Sequence, residues 1–425
     1  MPLPRQAGPA ASGEGRDGGS WHAGHGRCGP GARHQTVSFM DYNQGMNPMS
    51  RRIAHLDMDA FYASVELLRH PELKGAALVI GGRRPGADLK VSHPEALRLR
   101  EYQGRGVVTT CTYEARALGV HSGMGLMKAA RYAPEALLLP PSFDAYRQYS
   151  RLFKAAAGTV TQAIEDRGID EIYLEFTESD GEIRALGQRL KDAVKGATGL
   201  SCSLGIGPNK LLAKIASDLD KPDGLTVLDL ADVPDRLWPL PVGKINGVGP
   251  KVQARLAALK VVTIGDLAHA PAELLETTFG PRVGQWLADC AQGRDDRPLN
   301  TDTEPKSLSR ETTFEQDLDV HSDRPALSRI LTALCDRLAA DLLQKGHEGR
   351  TIGIKLRYAD FRTVTRDHTL AQPTADAALI KSAARDCLKR VSFNQKLRLL
   401  GVRVGALCPT DSKGLAPSPQ RELPF

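Results

Sequence analysis

The chain has 425 residues, with 56 Lys and Arg against 50 Asp and Glu, and this formal charge of +6 permits a polyanionic partner without demanding one. That length predicts several domains with separate cores. Seven scattered cysteines with no Cys-x-x-Cys pair argue against a structural zinc site and fit a reducing, cytoplasmic setting, and no apolar run approaches the roughly 20 residues of a membrane-spanning helix.

Residues 1–50 are rich in Gly, His, Arg and Ser without aliphatic periodicity, so disorder is expected there, with a basic arm touching nucleic acid as the alternative. Met40, Met46 or Met49 is the expected start if this stretch is not translated. From Arg52, Ile53-Ala54-His55-Leu56 reads as a buried strand running into Asp57-Met58-Asp59. A helix containing Ala63, Val65, Glu66 and Leu67 follows, then a strand over 77–80 stopped by Gly81-Gly82. Residues 83–106 are Pro-, Ala- and Arg-rich with a short helical stretch at 95–101, and β-branched residues make 107–110 a strand.

Residues 144–165 suit a long amphipathic helix, and 169–176 a strand carrying Asp170-Glu171. A helix over 183–197, a strand over 201–206 and a helix over 210–219 complete a pattern with few strands, as in an α+β layer. After Trp238-Pro239-Leu240-Pro241 the chain reads as helical to about residue 293, then as a polar linker over 299–308. Two helices and alternating strands follow to residue 408, and a Ser/Pro/Gly-containing tail ends in 420–425.

The two acidic clusters carry the chemistry. If their strands lie side by side, Asp57, Asp170 and Glu171 converge into a negative cluster that bound cations make tolerable, the layout of a two-metal phosphoryl-transfer site. Solvated strand ends are the bland alternative, and the apolar runs around both clusters argue against it. Residues 60–63 open a helix whose free amides can receive phosphate. Lys210 follows Gly205-Ile206-Gly207-Pro208-Asn209 at the next turn and is expected beside a leaving pyrophosphate, with Lys214 a weaker candidate. In 350–366, Ile352, Ile354, Leu356 and Tyr358 share one face and Lys355 and Arg357 the other; Arg403 alternates with Val402 and Val404 in the same way.

Taken together, residues 57–66, 112–116, 169–174 and 213–218 resemble the Y-family DNA polymerases, with the bacterial DNA polymerase IV branch the nearest match, over about 51–408. The resemblance implies an α+β multidomain right hand: palm 51–62 and 142–236, fingers 63–141 with an insertion at about 85–102, helix-hairpin-helix thumb 237–298, linker 299–308, α/β little finger 309–408 and tail 409–425. It implies that Asp57, Asp170 and Glu171, with the Met58 backbone carbonyl, hold two magnesium ions, and that Asp59 is structural. Phe61, Tyr62 as steric gate, Tyr113, Arg116 and Lys210 would bind the nucleotide, although a core role suits Phe61 better. Gly247, Gly249, Lys251, Lys355, Arg357 and Arg403 would touch DNA, and Gln420, Leu423 and Phe425 a sliding clamp.

The implied activity is error-prone translesion synthesis on primer-template DNA from deoxynucleoside triphosphates, by a cytoplasmic monomer without a proofreading exonuclease. Two departures stand out: Gly168 replaces a usual Ser and Glu175 a usual Asp, and neither removes a metal ligand. A two-metal nucleotidyl cyclase is a rival, disfavoured by DNA-binding features useless to a small substrate. A catalytically silent DNA-binding or clamp-associated protein is another, disfavoured because all three carboxylates are present.

Overall fold

The computed structural model describes residues 51–82, 97–177, 181–302 and 304–410. The expected N-terminal extension, most of the expected fingers insertion, and the tail residues Gln420, Leu423 and Phe425 lie outside the described residues.

β1 (Ile53–Met58) is buried along most of its length and leads into α1 (Phe61–Arg69) through Ala60, a non-glycine residue at φ 42°. Next come β2 (Leu78–Gly81), β3 (Leu97–Arg98), β4 (Val108–Cys111), α2 (Tyr113–Ala117), α3 (Leu126–Tyr132) and β5 (Leu137–Leu139). These strands form a sheet in the order β3-β5-β2-β4. Its core contains Val79, Val108, Leu126 and Leu138 together with Leu99 and Tyr102. Leu99 and Tyr102, at the C-terminal end of the expected insertion, are thus drawn into this core.

α4 (Phe143–Gly158), β6 (Ile164–Asp166), β7 (Glu171–Glu175), α5 (Ile183–Thr198), β8 (Cys202–Gly207), α6 (Lys210–Leu219) and β9 (Leu225–Val227) complete a second sheet, ordered β6-β7-β1-β8-β9. The helix expected to reach residue 165 stops at Gly158, because Thr159-Val160-Thr161 disfavours helix and the chain then pairs as β6. β1 is antiparallel to both β7 and β8. Ala54, Leu56, Met58, Ile172, Leu174, Leu204 and Ile206 pack with Tyr146, Phe153, Leu190 and Val194 of α4 and α5. Strand alternation leaves Ile53, His55, Asp57, Glu171, Tyr173 and Gly205 for the opposite face, under α6. Gly205 permits the close approach: a Cβ there would collide with the Ala213 carbonyl and the Ser217 amide.

α7 (Pro250–Ala258), α8 (Ile264–His269), α9 (Ala272–Phe279) and α10 (Pro281–Ala291) share a core with Leu211, Leu212 and Ile215 of α6. The expected polar linker is corrected at both ends. Leu299 packs on Ile53, Tyr173 and Ala213, and the Asn300 amide donates to Glu165 at 2.7 Å, so its start is strapped to the β1 sheet. Its end is already strand, in β10 (Ser307–Leu318).

α11 (Arg324–Gln344), β11 (His347–Tyr358), β12 (Thr363–Thr374), α12 (Ala377–Lys389) and β13 (Leu397–Pro409) follow, giving an antiparallel sheet β10-β13-β11-β12. As alternation requires, Ile352, Ile354, Leu356, Val402 and Val404 are buried against the helices. Among the described residues no helix is long and apolar enough to cross a membrane.

Candidate active site

The antiparallel register sets Asp57 directly opposite Glu171, and the Met58 amide donates to the Asp170 carbonyl at 3.0 Å. The two acidic clusters therefore meet. Ligand atoms of Asp57, Glu171 and His55 lie within 4.8 Å of one another, a group able to hold a metal ion. Asp170 stands beside this group: burial, then the charges of Asp57 and Glu171, push its carboxyl above the ordinary range. Such repulsion is what a bound cation would relieve. The Met58 side chain is buried, so only its main chain can serve the adjoining cavity.

Two lysines flank the acids. Lys214, on α6, donates to Glu171 at 2.5 Å and lies 3.2 Å from the His55 ring. Hydrogen bonds to His55 and then to Lys214 hold the Glu171 carboxyl down to about 2, against the effect of burial. His55 is fully buried, contacts Ser217 at 2.8 Å through Nδ1, and is pushed below its ordinary pKa by that burial. With both ring nitrogens engaged it orients Glu171, whereas a hard cation favours the carboxylate oxygens. Lys221 pairs with Asp57 and with Asp218, each at 2.9 Å. Their charge raises its pKa although burial acts the other way.

Asp59 is not part of this cluster. The strand ends at Met58, and Asp59 turns into the protein to accept from Ser203 Oγ at 2.7 Å and from the Asp223 amide at 2.8 Å. Buried Lys191 binds the same loop through the Asp223 carboxylate at 2.9 Å and the Gly224 carbonyl at 3.0 Å. Together they anchor the loop that carries Lys221.

A cavity of about 330 Å³ opens beside the acids, lined by Asp57, Asp170, Phe61, Tyr62, Tyr113, Arg116 and Lys221. Among the described residues no side chain caps the start of α1, which leaves its first amides to a ligand. The Tyr62 ring stacks on Tyr146 at 4.1 Å and 13°, and Tyr146 is itself fixed by donating to buried Glu66 at 2.6 Å. Phe61 is almost wholly buried in the aromatic core. Among the described residues the Tyr113 hydroxyl is buried with no partner, a polar atom that a ligand in the cavity would satisfy. Arg116 stacks over the Tyr113 ring at 4.8 Å.

Lys210 lies elsewhere. Its buried ammonium pairs with Glu165 and donates to the Pro298 carbonyl at 2.7 Å, tying α6 to the strap after α10. This corrects its expected place at a leaving pyrophosphate: a desolvated Lys takes the nearest buried carboxylate, and the lysine that reaches the cavity is Lys221. Sequence reasoning missed both Lys221 and His55. The available signals were a Lys just beyond the last turn of α6 and a His two residues before Asp57 on the same strand face.

Among the residues expected to touch DNA, Gly247 adopts φ 105° and Gly249 precedes α7 with open space where a Cβ would stand; Lys251 is exposed on the first turn. Lys355, Arg357 and Arg403 lie on the outer face of the C-terminal sheet, opposite the apolar face that packs on its helices.

The Asp59 contacts yield a stability prediction. Asp59→Ala leaves the Ser203 hydroxyl and Asp223 amide without their acceptor, and urea unfolding should register a loss of at least about 2 kcal/mol. A change below about 0.5 kcal/mol would mean that these contacts do not hold the loop.

Residues 56–218 match the impB/mucB/samB family, 231–261 its helix-hairpin-helix motif and 305–416 its C-terminal domain. A DNA polymerase IV of Alkalilimnicola ehrlichii is 38% identical over 84% of this chain and 95% of its own length. One from Methanoculleus marisnigri is 37% identical over 85% and 96%, and one from Streptococcus suis 37% identical over 84% and 97%. A solved Y-family DNA polymerase chimera superposes with a TM-score of 0.69 at 25% identity, covering 84% of this chain and all of that one. With both acidic clusters, the helix-hairpin-helix and the C-terminal sheet inside these matches, the chain belongs to the Y-family of DNA polymerases, in its DNA polymerase IV branch, and is a DNA-directed DNA polymerase.

Proposed function

We propose that this polymerase adds deoxynucleotides to a primer 3′-hydroxyl by two-metal phosphoryl transfer, copying damaged templates with low fidelity and without proofreading. The observation that carries the reading is the pairing of Asp57 with Glu171 beside a repelled Asp170, at the mouth of a cavity with phosphate-binding groups. Asp57, Asp170, Glu171 and the Met58 carbonyl would hold two magnesium ions, since oxygen donors of this kind suit hard divalent cations. Such ions, when bound, stabilise charge on the attacking and leaving oxygens.

The chain's own groups supply the rest. Arg116, the Tyr113 hydroxyl and the first amides of α1 receive the triphosphate, and Lys221 takes the role at the leaving pyrophosphate that Lys210 cannot fill. Tyr62, held rigid by Tyr146, lies under the sugar and excludes a 2′-hydroxyl. In this reading 51–62 and 142–236 act as palm, 63–141 as fingers, 237–298 as thumb and 309–408 as little finger. Gly247, Gly249 and Lys251 approach the duplex backbone, as do Lys355, Arg357 and Arg403. The small sheet of short strands, which borders the cavity through Thr109 and Thr110 of β4, fits tolerance of distorted template bases. Among the described residues the cysteines are free and largely buried thiols, which fits a cytoplasmic setting, and the chain would act there as a monomer.

Primer extension tests the metal assignment. Asp57→Ala and Glu171→Ala should each abolish addition on intact and damaged templates while leaving DNA affinity within about threefold; extension at the wild-type rate by either variant would refute it. Tyr62→Ala should raise ribonucleotide incorporation at least about tenfold, and unchanged sugar selectivity would return Tyr62 to a packing role.

We further propose that Gln420, Leu423 and Phe425 dock on the replication sliding clamp, with Leu423 and Phe425 as apolar anchors. Truncation after Pro419 should spare unassisted synthesis and remove stimulation by the clamp. Equal stimulation of the truncated and full chains would dismiss this docking.

A further inference from the structure

The outer face of the C-terminal sheet carries its charges in two cross-strand rows. One runs from Glu311 on β10 across Gly401 on β13 to Lys355 on β11. The next runs from Arg403 on β13 across Gly353 on β11 to Asp367 on β12. Charged residues two strands apart are about 10 Å apart at the backbone, and an intervening side chain would separate them. In both rows the intervening residue is glycine. Lys355 reaches Glu311 at 2.8 Å and Arg403 reaches Asp367 at 2.9 Å.

The glycines are the seats of these pairs. A Cβ on Gly401 would stand 2.9 Å from the Glu311 Cβ, and one on Gly353 would overlap the Asp367 carboxylate and lie 3.4 Å from Arg403 Nε. The pairs close over a shallow cavity of about 380 Å³ floored by the two glycines. All four side chains remain between 37% and 47% exposed, so solvent screens the pairs and an incoming anion can exchange for the carboxylates.

We propose that Glu311 and Asp367 are built-in competitors for DNA phosphate: they engage Lys355 and Arg403 in the free protein and so hold down the affinity of this face for the duplex backbone. The inference rests on the reading above that this face follows DNA. Each cation must give up one anion to take another, so a phosphate contact here brings a fraction of what an unpaired cation would bring. The two acids come from the two edge strands and reach inward from opposite sides, so a backbone laid along the glycine groove meets both exchanges together.

Anisotropy titration of the full chain with a labelled primer-template at low salt tests this. Glu311→Gln and Asp367→Asn should each tighten binding about two- to fivefold, the range of a weak exposed ion pair. The gain from Glu311→Gln should vanish in a Lys355→Ala background, and that from Asp367→Asn in an Arg403→Ala background. Asp386→Asn, which frees Lys389 on the helix side of the same domain, should leave affinity unchanged. Unchanged or weaker binding by the acid variants, while Lys355→Ala and Arg403→Ala weaken it, overturns the competitor role alone. A gain that survives loss of the paired cation also overturns it, since it would report only the charge of the whole protein. If neither acid nor cation variants move the affinity, this face does not touch DNA and the underlying reading fails.

Discussion

The antiparallel register of β1 against β7 is the constraint on which the rest depends. It puts Asp57 against Glu171, with Asp170 one residue earlier, and three carboxylates in one partly buried place repel one another. The surrounding structure answers with cations held by other elements. Lys214 takes Glu171 and Lys221 takes Asp57, while Asp170 has no ion pair among the described residues and is the acid whose carboxyl is pushed upward. The lysines fix where the two outer acids point, and so fix the direction from which a metal ion would meet them.

Those lysines reach the acids only because α6 lies tight on the sheet. Gly205 removes the side chain that would lift the helix, and Ala213 packs on Ile53 and Tyr173 below it. Beyond the helix, the loop with Lys221 is held by Asp59, Ser203 and Lys191, all buried polar groups with satisfied partners. Asp57 and Asp59, two residues apart, therefore act at different depths: one at the cavity, the other beneath the loop that delivers the cavity's lysine. Strand alternation alone would have put them side by side, but the strand ends at Met58 and Ala60 turns the chain into α1.

A similar economy governs the C-terminal sheet. Its inner face is apolar and packs on α11 and α12, which leaves the outer face free for charge. Glycine on the two central strands lets charges from nonadjacent strands meet there.

Local chemistry along the chain determined much of this. The order of strands and helices, the buried alternation of Ile352, Ile354 and Leu356, the helix over 210–219 and the presence of two acidic strands all follow from side-chain periodicity and breakers within a few residues. Only the tertiary structure decided which lysine reaches the acids. Lys210, Lys214 and Lys221 are alike in sequence terms, yet Glu165 claims the first, Glu171 the second and Asp57 the third. The same holds for His55, for Leu299 in the supposed linker and for the glycine-seated ion pairs. Each depends on the distance between elements far apart in the chain, which is set by packing and strand register rather than by neighbours in the sequence.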